Sequence, residues 1–165
     1  EKGCLGCHDP HGSLHPKMLR AAHPEGSYER YQGPRTYELC ITCHKQKLLD
    51  EQLTGDEREM TKFRNDSKNI FGGIERKNLH WYHVVEGTPY AGRSHGRSCS
   101  ICHDPHGSVN LHSIAKSWNM SKDPTSLGYN LPLGFQSEKN GGSCTLCHGE
   151  RKVYQRIEES GRKGH

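Results

Sequence analysis

All eight cysteines of this 165-residue chain fall in four copies of one pattern, Cys-x-x-Cys-His. The copies are Cys4-Leu5-Gly6-Cys7-His8, Cys40-Ile41-Thr42-Cys43-His44, Cys99-Ser100-Ile101-Cys102-His103 and Cys144-Thr145-Leu146-Cys147-His148. Two thiols set two residues apart can bond both vinyl groups of a single porphyrin, and the histidine that follows lies beneath the iron. The pattern therefore predicts four haem c groups. Each is held by thioethers at Cys4 and Cys7, Cys40 and Cys43, Cys99 and Cys102, or Cys144 and Cys147, with His8, His44, His103 and His148 as proximal iron ligands. A structural zinc site asks for paired CxxC knuckles or a spaced histidine pair, not a histidine after every second cysteine. A disulfide framework would use eight cysteines but leaves the four histidines unexplained. A thioredoxin-like site needs one CxxC beside a βαβ pattern, and none is visible.

Four such groups leave about 41 residues for each. The chain is 30% hydrophobic with a mean hydropathy of -0.97, a composition that alone suggests disorder. Large flat apolar cofactors would supply the missing core. The expected fold is that of a multihaem cytochrome c: mostly coil with a few short helices wrapped around four haems, haem-cored, with minimal β-structure. It would have no stable apo form, because ligation contributes the folding energy.

The formal charge of +4 does not mark a nucleic-acid binder. Two propionates per haem would bring it to about -4, and ferric irons would return it to about zero. No basic run tracks a phosphate backbone. No window approaches 18 apolar residues, so no membrane insertion is expected. Covalent haem c is attached after export in prokaryotes, so a leader is expected to have been removed ahead of Glu1. The expected location is extracellular or at the cell surface, with the periplasm as the alternative. Sequons at Asn65 and Asn119 occur by chance too often to carry weight.

The chain also repeats itself. Cys7-His8-Asp9-Pro10-His11-Gly12-Ser13 recurs as Cys102-His103-Asp104-Pro105-His106-Gly107-Ser108, at an offset of 95. A plainer CxxCH motif follows each. The unit is thus a pair of motifs, which divides the chain into a first module (1–50), a polar connector (51–95) and a second module (96–165). Helical character is expected from Lys45 to Leu53 and from Gly149 to Ser160, where Val153 and Ile157 lie four apart. Gly72-Gly73 and Gly141-Gly142 read as turns.

The paired motifs with CHDPHGS after the first of each resemble the doubled-CxxCH family of multihaem cytochromes. Within it the chain is most similar to the tetrahaem members among extracellular cytochromes that polymerise into conductive filaments. The resemblance covers both modules and implies electron transfer through bis-histidine haems.

Nine histidines remain for the distal positions: His11, His15, His23, His80, His83, His95, His106, His112 and His165. Met18, Met60 and Met120 occupy no repeated position, whereas His11 and His106 do. His11 is too near His8 to pass around the edge of one porphyrin, so each of this pair must serve another iron. If each reaches the lead haem of the adjoining module, His106 serves the iron of His8. His11 then has no preceding module, and would serve the iron of His103 in the next subunit. The filamentous relatives imply the same donation between subunits. The family's upstream histidine points to His83 for the iron of His148. Module one has only three residues before Cys4, and His23 is preferred for the iron of His44, with His15 or a neighbour's His165 as alternatives. His80, His95 and His112 are further alternatives. Aromatic residues such as Trp81, Trp118 and Tyr129 are expected to pack against haem edges.

The leading functional expectation is the repeating subunit of an extracellular conductive filament, a head-to-tail homopolymer passing electrons to partner cytochromes or extracellular acceptors. The alternative is a soluble periplasmic tetrahaem shuttle, or the electron-input subunit of a reductase. An enzyme would need an open distal position, and unaltered motifs with surplus histidines argue against one.

Overall fold

Short antiparallel strands recur along the described chain between single helical turns, which corrects the expectation of coil and helix with minimal β-structure. The structure is a computed structural model that describes residues 3–44, 46–53, 61–90, 93–119, 130–149 and 153–157, with the backbone alone over 88–90 and 93–95. Among the described residues, ten strands form four small sheets. The chain lacks the run of apolar residues at helical spacing that a packed amphipathic helix needs, and short hairpins pair the facing N–H and C=O groups of neighbouring strands without a large apolar face.

The first sheet places β5 (Arg93–Arg97) between β1 (Tyr28–Glu29) and β4 (Thr88–Tyr90), so the first module pairs directly with the stretch that leads into the third motif. The second sheet is a hairpin of β2 (Arg64–Lys68) and β3 (Ile74–Asn78), in register from Arg64↔Asn78 to Lys68↔Ile74. Asn69 closes it, its Oδ1 accepting from the Phe71 and Gly73 N–H groups at 3.1 and 2.8 Å. Strands β6 (Ser117–Asn119) and β7 (Asn130–Pro132) make a second pair.

The last sheet has β9 (Gly141–Cys144) between β8 (Phe135–Glu138) and β10 (Val153–Gln155). Gly141-Gly142 is therefore a central strand and not a turn. A Cβ on Gly141 would lie 2.0 Å from the Tyr154 carbonyl oxygen, so only glycine lets β10 come this close. The helix expected over Gly149–Ser160 is also corrected: beyond Gly149, its described part is β10 and the two residues after it. Of the helix expected over Lys45–Leu53, the structure forms one 3-10 turn, Gln46–Leu49.

The described parts of the connector are tied to their surroundings by side-chain hydrogen bonds. Asn65 Oδ1 accepts from Gln155 N–H at 3.1 Å, and Asp66 Oδ2 from Ile157 N–H at 2.9 Å, which ties the β2–β3 hairpin to β10. Asn78 is fully buried, its Nδ2 donating to the Leu48 and Asp50 carbonyls at 2.8 and 2.7 Å. A π-helical turn, Trp81–Glu86, follows. It lies against β5, where a Cβ on Gly96 would sit 1.7 Å from the Val84 carbonyl oxygen. The buried cluster is small: Tyr37, Leu49 and Val84, with Tyr31, Cys40, Ile41, Val85 and Cys99 packed around it. No described helix is long and apolar enough to cross a membrane.

Candidate haem-binding sites

Each CxxCH motif lies on a single tight turn. Gly3–Gly6 is a 3-10 turn, and short helices α1 (Glu38–Ile41), α2 (Cys99–Cys102) and α3 (Thr145–His148) carry the rest. In three motifs the histidine N–H returns to the carbonyl of the first cysteine: His8 to Cys4 at 3.0 Å, His44 to Cys40 and His103 to Cys99 at 2.9 Å. One helical turn places both thiols on one side with the imidazole just beyond them. No two of the eight cysteines are joined in a disulfide. Cys40 and Cys99 share a hydrogen bond, which with burial pushes the Cys99 thiol up and brings the second and third motifs side by side.

The structural repeat runs further than the seven identical residues. His8 Nδ1 donates to the Lys17 carbonyl at 2.9 Å, and His103 Nδ1 to the His112 carbonyl at 3.0 Å. Both carbonyls are aimed by consecutive left-handed residues, Lys17-Met18 (φ 58° and 56°) and His112-Ser113 (φ 57° and 53°). Around them the bonds repeat: Asp9 N–H to Met18 O and Asp104 N–H to Ser113 O, Arg20 N–H to Cys7 O and Ala115 N–H to Cys102 O. Non-glycine residues held in this region signal a constraint worth about 1 kcal/mol each. Occupying Nδ1 fixes the tautomer and leaves Nε2 to bind metal, an arrangement the sequence could not reveal.

Three proximal histidines face a second imidazole. His106 lies across from His8, with ring centres 6.3 Å apart and planes 15° from parallel. His80 lies across from His103 at 6.2 Å and 13°, and His83 from His148 at 5.9 Å and 84°. With metal–nitrogen bonds of about 2 Å and each nitrogen about 1.1 Å from its ring centre, two imidazoles clasping one ion lie roughly 6 Å apart. The residues present thus fit a six-coordinate iron at each of three places. His80 hydrogen-bonds Thr61 Oγ1 through Nδ1 at 3.0 Å, and His83 Nδ1 donates to the Leu79 carbonyl at 2.7 Å. Burial holds both imidazoles neutral, His80 down to about 3 and His83 to about 4, and lowers His103 as well. A neutral imidazole is the form that ligates.

The sequence-predicted residues fall out as follows. His106 meets His8 and His83 meets His148, each within the chain. Across from His103 lies His80, one of the alternative distal ligands, where another subunit's His11 is the expected partner. The signal for that was His80-x-x-His83, two histidines one turn apart just upstream of the second module. His44 is exposed, and among the described residues no histidine ring faces it. His23 is half-buried and bonds the Cys40 thiol. His11 is exposed on a loop built like that of His106: each backbone N–H donates to the aspartate two residues earlier, Asp9 Oδ1 at 3.1 Å and Asp104 Oδ1 at 3.0 Å. His15 donates its N–H to Ser13 Oγ, and His112 contributes its carbonyl. The His95 side chain, His165, Tyr129, Met60 and Met120 lie outside the described residues. Trp118 Nε1 donates to Ser27 Oγ at 3.0 Å and packs edge-on against Tyr28.

The family described as doubled CXXCH motif matches residues 1–48, the first pair of motifs. No curated protein and no solved structure matches the chain. The match supports a multihaem c-type cytochrome, and the CxxCH motifs imply covalently bound c-type haem serving electron transfer.

Proposed function

We propose that the chain carries four bis-histidine haems and is the repeating subunit of an extracellular electron-conducting filament. The observation behind this reading is a mismatch at the ends of the ligand set. His8, His103 and His148 each have an imidazole across from them, while His44 has none among the described residues. His11 meanwhile stands exposed on a loop that has the same build as the one presenting His106 to His8. His11 of one copy therefore completes the iron at His44 of the next. Such a donor–acceptor contact is heterologous, and without closure into a ring it propagates as a filament. Haems with two histidine ligands offer no open position to a substrate, which suits a conductor and not an enzyme.

One observation favours the soluble shuttle: His23 sits beside Cys40 and, turned over, would complete the His44 iron within the chain. Electron microscopy of native haem-loaded protein separates the two. Filaments that disappear in His11→Ala and persist in His23→Ala support the first reading. Monodisperse particles with every iron low-spin support the second. Four haems per chain by mass spectrometry is expected in either case.

A further inference from the structure

Two distal ligands on one turn of backbone should ordinarily be hard to aim at two irons. In an α-helix residues three apart differ by about 60° around the axis, but at roughly 4.4 residues per turn a π-turn opens this to about 115°. His80 caps the π-turn Trp81–Glu86 and His83 lies within it, so the two imidazoles splay toward His103 and His148 respectively. Phe63 fills the gap between them. Its ring centre is 5.3 Å from both, edge-on to His80 (80°) and tilted against His83 (34°), and it is backed by Tyr154 at 5.1 Å. Its own N–H donates to Thr61 Oγ1, the hydroxyl that also holds His80 Nδ1. On its other side His83 meets the edge of Tyr82 at 5.4 Å.

This cluster coincides with a difference between the two sites. The His80 and His103 planes are nearly parallel at 13°, whereas His83 and His148 cross at 84°. Imidazole π-donation raises the iron d orbital that lies normal to the ring. Parallel rings raise the same orbital, which separates the levels and stabilises ferric iron. Crossed rings raise both, leave the levels nearly equal and favour the ferrous state by comparison.

Resting on the bis-histidine reading, we infer that Phe63 is a positioning residue that holds His83 crossed to His148 and His80 parallel to His103. It thereby makes the His148 site the higher-potential member of an adjacent pair. Downhill flow within the second module then runs from the His103 site to the His148 site.

The test is paramagnetic resonance of the ferric, fully loaded protein, with spectroelectrochemistry. Wild type should give one strongly anisotropic low-spin signal beside rhombic ones, and His83→Met should remove the anisotropic signal alone. Phe63→Leu should move that signal toward the rhombic class and lower one midpoint potential, leaving the His8–His106 signal in place, while Phe63→Tyr should restore the wild-type spectrum. Broadening of every signal in Phe63→Leu, the mark of a merely structural role, overturns the inference. A wild-type spectrum of rhombic low-spin signals only, or a Phe63→Leu spectrum unchanged from wild type, overturns the inference and leaves the ligation reading standing. High-spin iron at three sites overturns both. The wild-type spectrum needs no variant to fold.

Discussion

The His106 ring lies across from that of His8, its plane only 15° from parallel and its centre 6.3 Å away, although the two belong to different modules. Each ring is steered by its own loop. His8 is anchored through Nδ1 by the Lys17 carbonyl, and the His106 backbone by Asp104. The contact joins the first motif of one module to the repeat of the other.

Removing one partner should expose the pairing. In His106→Ala the iron at His8 loses its sixth ligand and one haem per chain should turn high-spin. Magnetic circular dichroism reads this directly, and the signals assigned to His80–His103 and His83–His148 should stay low-spin.

Asn78 is the polar keystone of the connector. Its side chain donates to Leu48 and Asp50 and accepts from His80 N–H at 3.0 Å, all in a fully buried setting. Asn78→Ala would orphan buried backbone groups at a cost of about 2–4 kcal/mol, measured by denaturant unfolding. It should also shift the His103 site spectrally, since His80 loses its anchor.

Lys17 is held at φ 58° so that its carbonyl can receive the His8 imidazole N–H. Lys17→Gly should stabilise the protein by up to about 1 kcal/mol, because glycine adopts this conformation without strain. Lys17→Val should cost about 1–2 kcal/mol and alter the potential of the His8 site, as the carbonyl turns away. Denaturant midpoints of the two variants should therefore move in opposite directions.

Tyr37 has no exposed surface, and burial foremost pushes its phenol well above the ordinary range. The folded state thus favours the neutral phenol. Its contribution is complete below the ordinary phenol value of about 10 and is lost as pH rises above it. Unfolding titrations should show stability falling in strong alkali, and Tyr37→Phe should remove that component of the pH dependence.

What the sequence made legible was local chemistry. A CxxCH turn needs only five consecutive residues, and the CHDPHGS loops were visible as identity. The sheets were not, because their strands lack the alternation that betrays a half-buried face. Arg64–Lys68 is wholly polar, and β9 opens on two glycines that ordinarily punctuate a chain. Val153 and Ile157 sit at helical spacing, yet Gly149 at φ 63° ends α3 and the chain returns alongside β9. Choosing between His80 and His83 was beyond sequence for another reason. Both lie on one turn, and only the splay of that turn sends each to a separate partner.

That shared turn carries its own consequence for the rate of electron hopping. Tunnelling decays exponentially with distance, so a pathway assembled from side-chain contacts inherits every fluctuation of their packing. On the bis-histidine reading proposed above, two neighbouring stations would hang from ligands joined by only three consecutive peptide units, His80 to His83. Bond lengths and planar amides barely stretch. The length of chain between the two ligands would therefore cap how far apart that one step of the circuit can drift, whatever bends elsewhere.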